Sequence, residues 1–184
     1  MSYHEYTIEV SGLAFKVEYE RDDSMLAPWK EEDGHGPVSD WERRDKKPGE
    51  LVLCEDGRSK RFYDFAEACR IARRDGWDTK PYNTGNETPR QQAAKAARAD
   101  FERMRAWCNA EWDYVGVIVK LLDDDGEETG EEDSIWGIES DDDKYLGEAA
   151  RELAKYIAEN IRKVSDYRRE GRIVRDAMID ARGV

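Results

Sequence analysis

Residues 6 to 19 alternate apolar and polar side chains, and this two-residue period constrains the fold more than any other feature of the chain. Tyr6, Ile8 and Val10 precede Ser11-Gly12, and Leu13, Phe15 and Val17 follow it. A two-residue turn at Ser11-Gly12 sets Val10 against Leu13, Ile8 against Phe15 and Tyr6 against Val17. All six then lie on one side of a β-hairpin with a buried face. From Arg21 to Gly49 the periodicity vanishes. Pro28, Gly34, Gly36, Pro37, Pro48 and Gly49 punctuate a charged stretch that carries Trp29 and Trp41, a long polar loop over 21–49 of the kind that is either functional or partly disordered.

A second hairpin is expected from Glu50 to Cys54 and Ser59 to Tyr63, turning at Asp56-Gly57. A helix follows at once. Asp64 and Glu67 have capping-box spacing, Phe65, Ala68, Cys69 and Ala72 share a face, and Gly76 is placed to end it. After a polar linker at 78–87, Thr88, Pro89 and Gln91 supply an N-cap, an N1 proline and a second box. Ala94, Ala97, Phe101, Met104 and Cys108 then recur at helical spacing to about Asn109. Tyr114 to Leu122 is β-branched and apolar, with Ser134 to Ile138 as its expected antiparallel partner. The last long helix is expected from Asp142 or Asp143 towards Asp166, with Leu146, Ala150, Leu153, Ile157, Ile161 and Val164 on its apolar face. A separate short helix is expected after Gly171 through Ile173, Val174, Ala177 and Met178.

This order predicts an α+β fold, an antiparallel sheet built from hairpins with three main helices packed on it. With 184 residues, one domain spanning 1–184 is expected. Although 40% of residues are charged, six Trp and nine Tyr argue for a folded chain. The polar start at Met1 to Tyr6 shows no secretory signal, and no apolar run reaches the ~20 residues of a transmembrane helix. Cys54, Cys69 and Cys108, odd in number and set in apolar stretches, read as reduced core thiols. A cytoplasmic protein without membrane partners is therefore expected.

Charge is distributed unevenly. Twelve of the 21 residues from Asp123 to Asp143 are Asp or Glu, and none is Lys or Arg. The chain holds 43 acids against 30 bases, so without this strip 31 acids face 30 bases. The strip is placed on the loop Asp123 to Asp133 of the third hairpin and on the start of the last long helix, where Asp141, Asp142 and Asp143 also complement the macrodipole.

Other chemistry is sparse. His4, in the terminus, and His35, in a Gly-flanked loop, read as solvent-facing, and no Ser or Cys lies in an elbow to pair with them. There is no CxxC and no His/Cys pair with zinc spacing. Gly34-His35-Gly36 lacks the flanking strand and helix of a phosphate loop. An EF-hand needs glycine at position 6, whereas starting at Asp123 it falls at position 4 and starting at Asp141 at position 7. No cofactor is implied. Arg58, Lys60 and Arg61, then Arg70, Arg73 and Arg74, lie near Phe62, Tyr63 and Trp77, which sketches a nucleic-acid platform. Overall charge opposes direct approach to nucleic acid. Trp107, Trp112 and Trp136 read as core, while Trp41, in the polar loop, is either an anchor or a partner contact.

The stretches Asp40-Trp41-Glu42-Arg43-Arg44-Asp45, Ser59-Lys60-Arg61-Phe62-Tyr63-Asp64-Phe65, Ala72-Arg73-Arg74-Asp75-Gly76-Trp77, Ala106-Trp107-Cys108-Asn109 and Ser134-Ile135-Trp136-Gly137-Ile138-Glu139-Ser140 resemble those of small accessory proteins of bacteriophages and prophages of Gram-negative bacteria. The resemblance covers about residues 40 to 150 and carries over no catalytic residue. It implies a host bacterial cytoplasm and an inhibitor of host defences, of the anti-CRISPR or anti-restriction type, in which acidity imitates DNA. The leading expectation is a non-enzymatic inhibitor of a basic nucleic-acid-binding protein or complex of the host. Its contacts would be Asp123, Asp124, Asp125, Glu127, Glu128, Glu131, Glu132 and Asp133, extended by Asp141, Asp142 and Asp143, with Trp41. The alternatives are a divalent-metal protein or phosphoryl-transfer enzyme using the clustered carboxylates, and a nucleic-acid-binding accessory protein using the Arg-rich elements. A charge run that is only a solvated face of a hairpin loop, with no partner at all, is the plainest competitor for the acidic strip.

Overall fold

The computed structural model describes residues 5–77 and 87–180, with side chains up to Ser165 and again at Arg172. The fold is α+β. The contacts gather into two compact units, one formed by 1–22 and 114–184 and the other by 23–113. The physical cause is a long-range pairing: the second strand finds its neighbour only after the whole of 23–113 has intervened.

The first unit is a four-stranded antiparallel sheet of order β1-β2-β5-β6 with one long helix, α4. β1 (Glu5–Val10) and β2 (Leu13–Arg21) form the expected hairpin, with Tyr6 opposite Val17, Ile8 opposite Phe15 and Val10 opposite Leu13. Ser11 and Gly12 both take positive φ, 57° and 79°, as the tight turns matched to strand twist require. β2 then pairs with β5 (Tyr114–Leu122), Phe15 facing Leu121 and Val17 facing Val119. α4 (Asp143–Asp180) covers this face: Leu146, Ala149, Ala150, Ala154, Ile157 and Ala158 pack with Phe15, Val17, Val117 and Val119 in one core. Alanines at the contact let the helix axis approach the sheet closely. Leu153 and Ile161 are only partly buried and Val164 is 49% exposed, so the helix's apolar face is narrower at its far end than the periodicity suggests. The backbone of α4 also runs through Gly171 without the expected break, since one interior glycine costs a helix only ~1 kcal/mol.

In the second unit, β3 (Glu50–Asp56) and β4 (Ser59–Asp64) make a two-stranded sheet. Asp56 pairs with Ser59, so the turn is Gly57-Arg58, one residue later than expected, with Gly57 at φ 57°. α2 (Phe65–Asp75) is capped by Asp64, whose side chain accepts from the Glu67 N–H, and ends at Gly76 in the left-handed region. α3 (Pro89–Cys108) carries the reciprocal Thr88/Gln91 capping box. Leu53, Tyr63, Ala68, Ala97, Phe101 and Met104 form the core between these elements. Of the linker at 78–87, all but Glu87 lies outside the described residues, as does His4.

The 21–49 segment is tied down along its length. It contains a short helix, α1 (Pro28–Glu31), and then runs beside β4: Ser39 N–H donates to the Phe62 carbonyl, Glu42 and Lys60 exchange both backbone bonds, and Asp64 N–H donates to the Pro37 carbonyl. Arg44 binds Glu42 and Glu50 and lies 4.0 Å over the Phe62 ring. A segment without periodicity is thus held as a strap by backbone bonds and two carboxylates.

Candidate functional site

The acidic strip is built differently from the loop expected at Asp123 to Asp133. β6 (Glu128–Glu139) begins six residues before Ser134, so only Asp123–Glu127 form the turn and Glu128, Glu131, Glu132 and Asp133 stand on a strand. Strand pairing extends because β5 offers a long partner: Leu122 pairs with Glu128 and Lys120 with Glu132. The turn is organised by its first residue. Asp123 Oδ1 accepts from the backbone N–H groups of Asp125 and Glu127, at 3.0 and 2.9 Å, while its own N–H and carbonyl bond to Glu127 and Gly126. This side-chain capping of two amides that flank Gly126 fixes the turn and leaves Gly126 at φ 84°.

The acids therefore divide by what each side chain touches. Asp123 holds the turn. Glu128 belongs to an ion-pair network on the sheet's other face, where Lys16 reaches Glu128, Glu18 and Glu5 at 3.0, 2.6 and 3.3 Å and Lys120 reaches Glu18 at 2.7 Å. Bonds to Lys16 and then Lys120 hold the Glu128 carboxyl below its usual range, and the bonds to Glu18 and then Glu128 push the Lys16 ammonium up. Asp133 Oδ1 accepts from the next N–H, that of Ser134. Asp142 caps α4, its Oδ1 accepting from the Tyr145 N–H at 2.9 Å, with Asp143 in the first turn beside it. Glu139 and Asp141 also have interactions of their own. What remains is Asp124, Asp125, Glu127, Glu131 and Glu132, all exposed, whose carboxylates meet no hydrogen-bond or ion-pair partner among the described residues.

β6 is an edge strand, and its acids also discourage pairing with another edge of the same kind. Trp136, expected in the core, is 45% exposed. Its ring lies flat on Gly116 of β5, where an added Cβ would sit 2.4 Å from the ring, and its indole N–H donates to Ser134 Oγ. Glycine on β5 is what makes room for that ring.

Trp41 belongs to the other unit and is 45% exposed, with the Arg61 guanidinium 4.8 Å over its ring. Arg61 is also 5.4 Å from Trp29, which itself packs edge-on against Trp107. The two loop tryptophans thus differ, Trp29 serving as an anchor and Trp41 remaining open on one side. Phe62 and Tyr63, named as aromatic faces of a nucleic-acid platform, are 1% and 0% exposed and offer no face to a base.

The histidine reading is also corrected. His35 is partly buried, and its Nδ1 lies 2.6 Å from Asp100 Oδ1 on α3. Asp100 Oδ2 accepts from the Gly36 N–H at 2.8 Å and from the Tyr63 hydroxyl at 2.6 Å. Burial disfavours the imidazolium, but the bond and charge of Asp100, helped by Glu32, outweigh it and hold the His35 pKa above its usual value. Burial, then Asp100, pushes the Tyr63 phenol up. His35 Nε2 lies 3.7 Å from Glu32 Oε2, and the His35–Asp100 pair clamps the strap to α3. The 65-residue separation left no spacing by which the sequence could have joined His35 to Asp100.

Among the described residues, no group of three or more His, Cys, Asp or Glu side chains could hold a metal ion. Nor is any described helix long and apolar enough to cross a membrane. Comparison with protein-family models, with curated proteins and with solved structures finds no match to this chain.

Proposed function

We propose that this protein is a non-enzymatic binding protein whose acidic β5–β6 hairpin docks on the basic nucleic-acid-binding surface of another protein and excludes the nucleic acid from it. The resemblance to phage accessory proteins makes an inhibitor of a host defence complex the setting for that activity. One observation carries the reading: Asp124, Asp125, Glu127, Glu131 and Glu132 stand exposed and unpaired on one hairpin while their neighbours Asp123 and Glu128 fix its shape. A hairpin backbone already fixed by Asp123 and Glu128 loses little freedom on binding, although the five carboxylates themselves must still be ordered. They act mainly on association rate and on discrimination between basic and acidic partners.

The test compares the parent protein with the variant D124N/D125N/E127Q/E131Q/E132Q, each immobilised and exposed to bacterial lysate. The parent is expected to retain a nucleic-acid-handling protein that both salt and duplex DNA elute, and the variant to lose it. Retention of the same protein by both, with the same salt dependence, would refute the proposal.

A further inference from the structure

An apolar groove lies between α4 and the edge strand β6. Ile135, Leu153, Tyr145 and Tyr156 line a cavity of about 230 Å³, with Glu148 and Glu152 in its wall. Three of these apolar side chains are unusually open: Ile135 is 39% exposed, Tyr145 50% and Tyr156 57%. The cavity is smaller than the roughly 300–1,000 Å³ of small-molecule sites, which suits a single anchoring side chain better than a cofactor. We propose that it receives an extended, Lys/Arg-rich segment of a partner protein, which pairs with the free edge of β6 and seats one apolar side chain in the groove.

Three features define that occupant. Among the described residues β6 is hydrogen-bonded only to β5 in the sheet, and its residues Glu132–Ile135 keep an unbroken register between two irregularities, an edge of about 13 Å on which a short strand can add once Asp133 gives up the Ser134 N–H. Asp133 lies on the same face of β6 as Ile135, so with Glu148 and Glu152 it sets carboxylates on both sides of the cavity, complementary to basic side chains flanking the anchor. The open rings of Tyr145 and Tyr156 add faces that attract cations. A second copy of this chain is disfavoured, because pairing two β6 edges crowds Glu131, Glu132 and Asp133 of both copies onto one ribbon, where like charges repel.

This inference rests on the proposed binding of a basic partner, and it can fail separately. The probe is a fluorescein-labelled Lys-Ser-Lys-Ser-Phe-Ser-Lys-Ser-Lys peptide, whose Phe and Lys side chains share one face of an extended strand, compared with three relatives: one with Ser for Phe, one with Glu for Lys, and one N-methylated at alternate amides. Anisotropy is expected to show binding of the first, weakened at least about tenfold by each change and by I135S/Y156S in the protein, with Y145S as a second groove variant. All three positions are exposed, and circular dichroism checks that each variant is folded. Equal binding of the Ser peptide, or of the parent peptide to both groove variants, would overturn the groove while leaving the hairpin proposal standing. Absence of binding by any peptide, or a dimer of the parent protein that I135S/Y156S dissociates in sedimentation, would overturn it as well. The D124N/D125N/E127Q variant probes the hairpin alone. It is expected to keep the apolar selectivity, and loss of selectivity there would also count against a groove that recognises its anchor independently.

Discussion

Replacing Asp100 with Ala removes the one carboxylate that joins three parts of the second unit. Asp100 Oδ1 meets His35, and Oδ2 takes the Gly36 amide and the Tyr63 hydroxyl. Hydrogen bonds to a charged group contribute about 1.5–3 kcal/mol each, and they share one carboxylate, so they do not add in full. Tyr63 is fully buried and keeps only the Ala97 carbonyl at 3.2 Å, while His35 loses the charge that favours its imidazolium. The expected loss is about 3–5 kcal/mol, the cost of removing one partner from a buried charged pair. With a urea slope near 2 kcal/mol per molar, the midpoint of the second unit falls by about 2 M. Urea titration followed by tryptophan fluorescence measures it, Trp29, Trp107 and Trp112 all belonging to this unit. The sign with pH is equally definite. The folded His35 pKa lies above the unfolded value, so its stabilisation is complete below the unfolded pKa near 6.5 and is lost as pH rises through the folded one. The stability gap between the parent and His35→Gln should therefore shrink from pH 6 towards alkaline pH. A D100A loss under about 1 kcal/mol, or a gap that widens with pH, would refute the clamp.

Two further outcomes test the same unit. At Gly36 an added Cβ would sit 2.3 Å from the Tyr63 hydroxyl oxygen, and Tyr63 is fully buried, so Gly36→Ala should cost about 1–3 kcal/mol as overpacking in a urea or thermal melt; an unchanged midpoint would contradict the packing. Burial, then a hydrogen bond with Cys54, pushes the Cys108 thiol up to about 12, so at pH 8 its alkylation by iodoacetamide should be at least about tenfold slower than in the urea-unfolded chain. Peptide mass spectrometry gives the two rates, and equal rates would show the thiol to be open.

The three hairpins, the capped helices α2 and α3 and the start of α4 were legible because each rests on local rules. Alternation names the face of β1 and β2, Asp64 and Thr88 sit at caps, and Gly12 and Gly76 sit where positive φ is needed. The acidic strip was also legible as a concentration of charge, because composition survives any fold. Its internal division was not. Glu128 is absorbed by Lys16, which lies 112 residues away, and no local pattern connects them.

By itself, then, the sequence determined the main hairpins and helices, the buried face of the first hairpin and the existence of one strongly anionic strip, all of which follow from interactions a few residues apart. Only the tertiary structure decided that β2 pairs with β5 across the second unit, that the 21–49 segment is strapped by His35 and Asp100, and that α4 leaves an apolar groove beside the edge of β6. Those outcomes depend on which distant surfaces meet and how well their volumes and charges match. A one-dimensional period carries no information about that match, and here the match separates carboxylates that hold the hairpin from carboxylates left open to a partner.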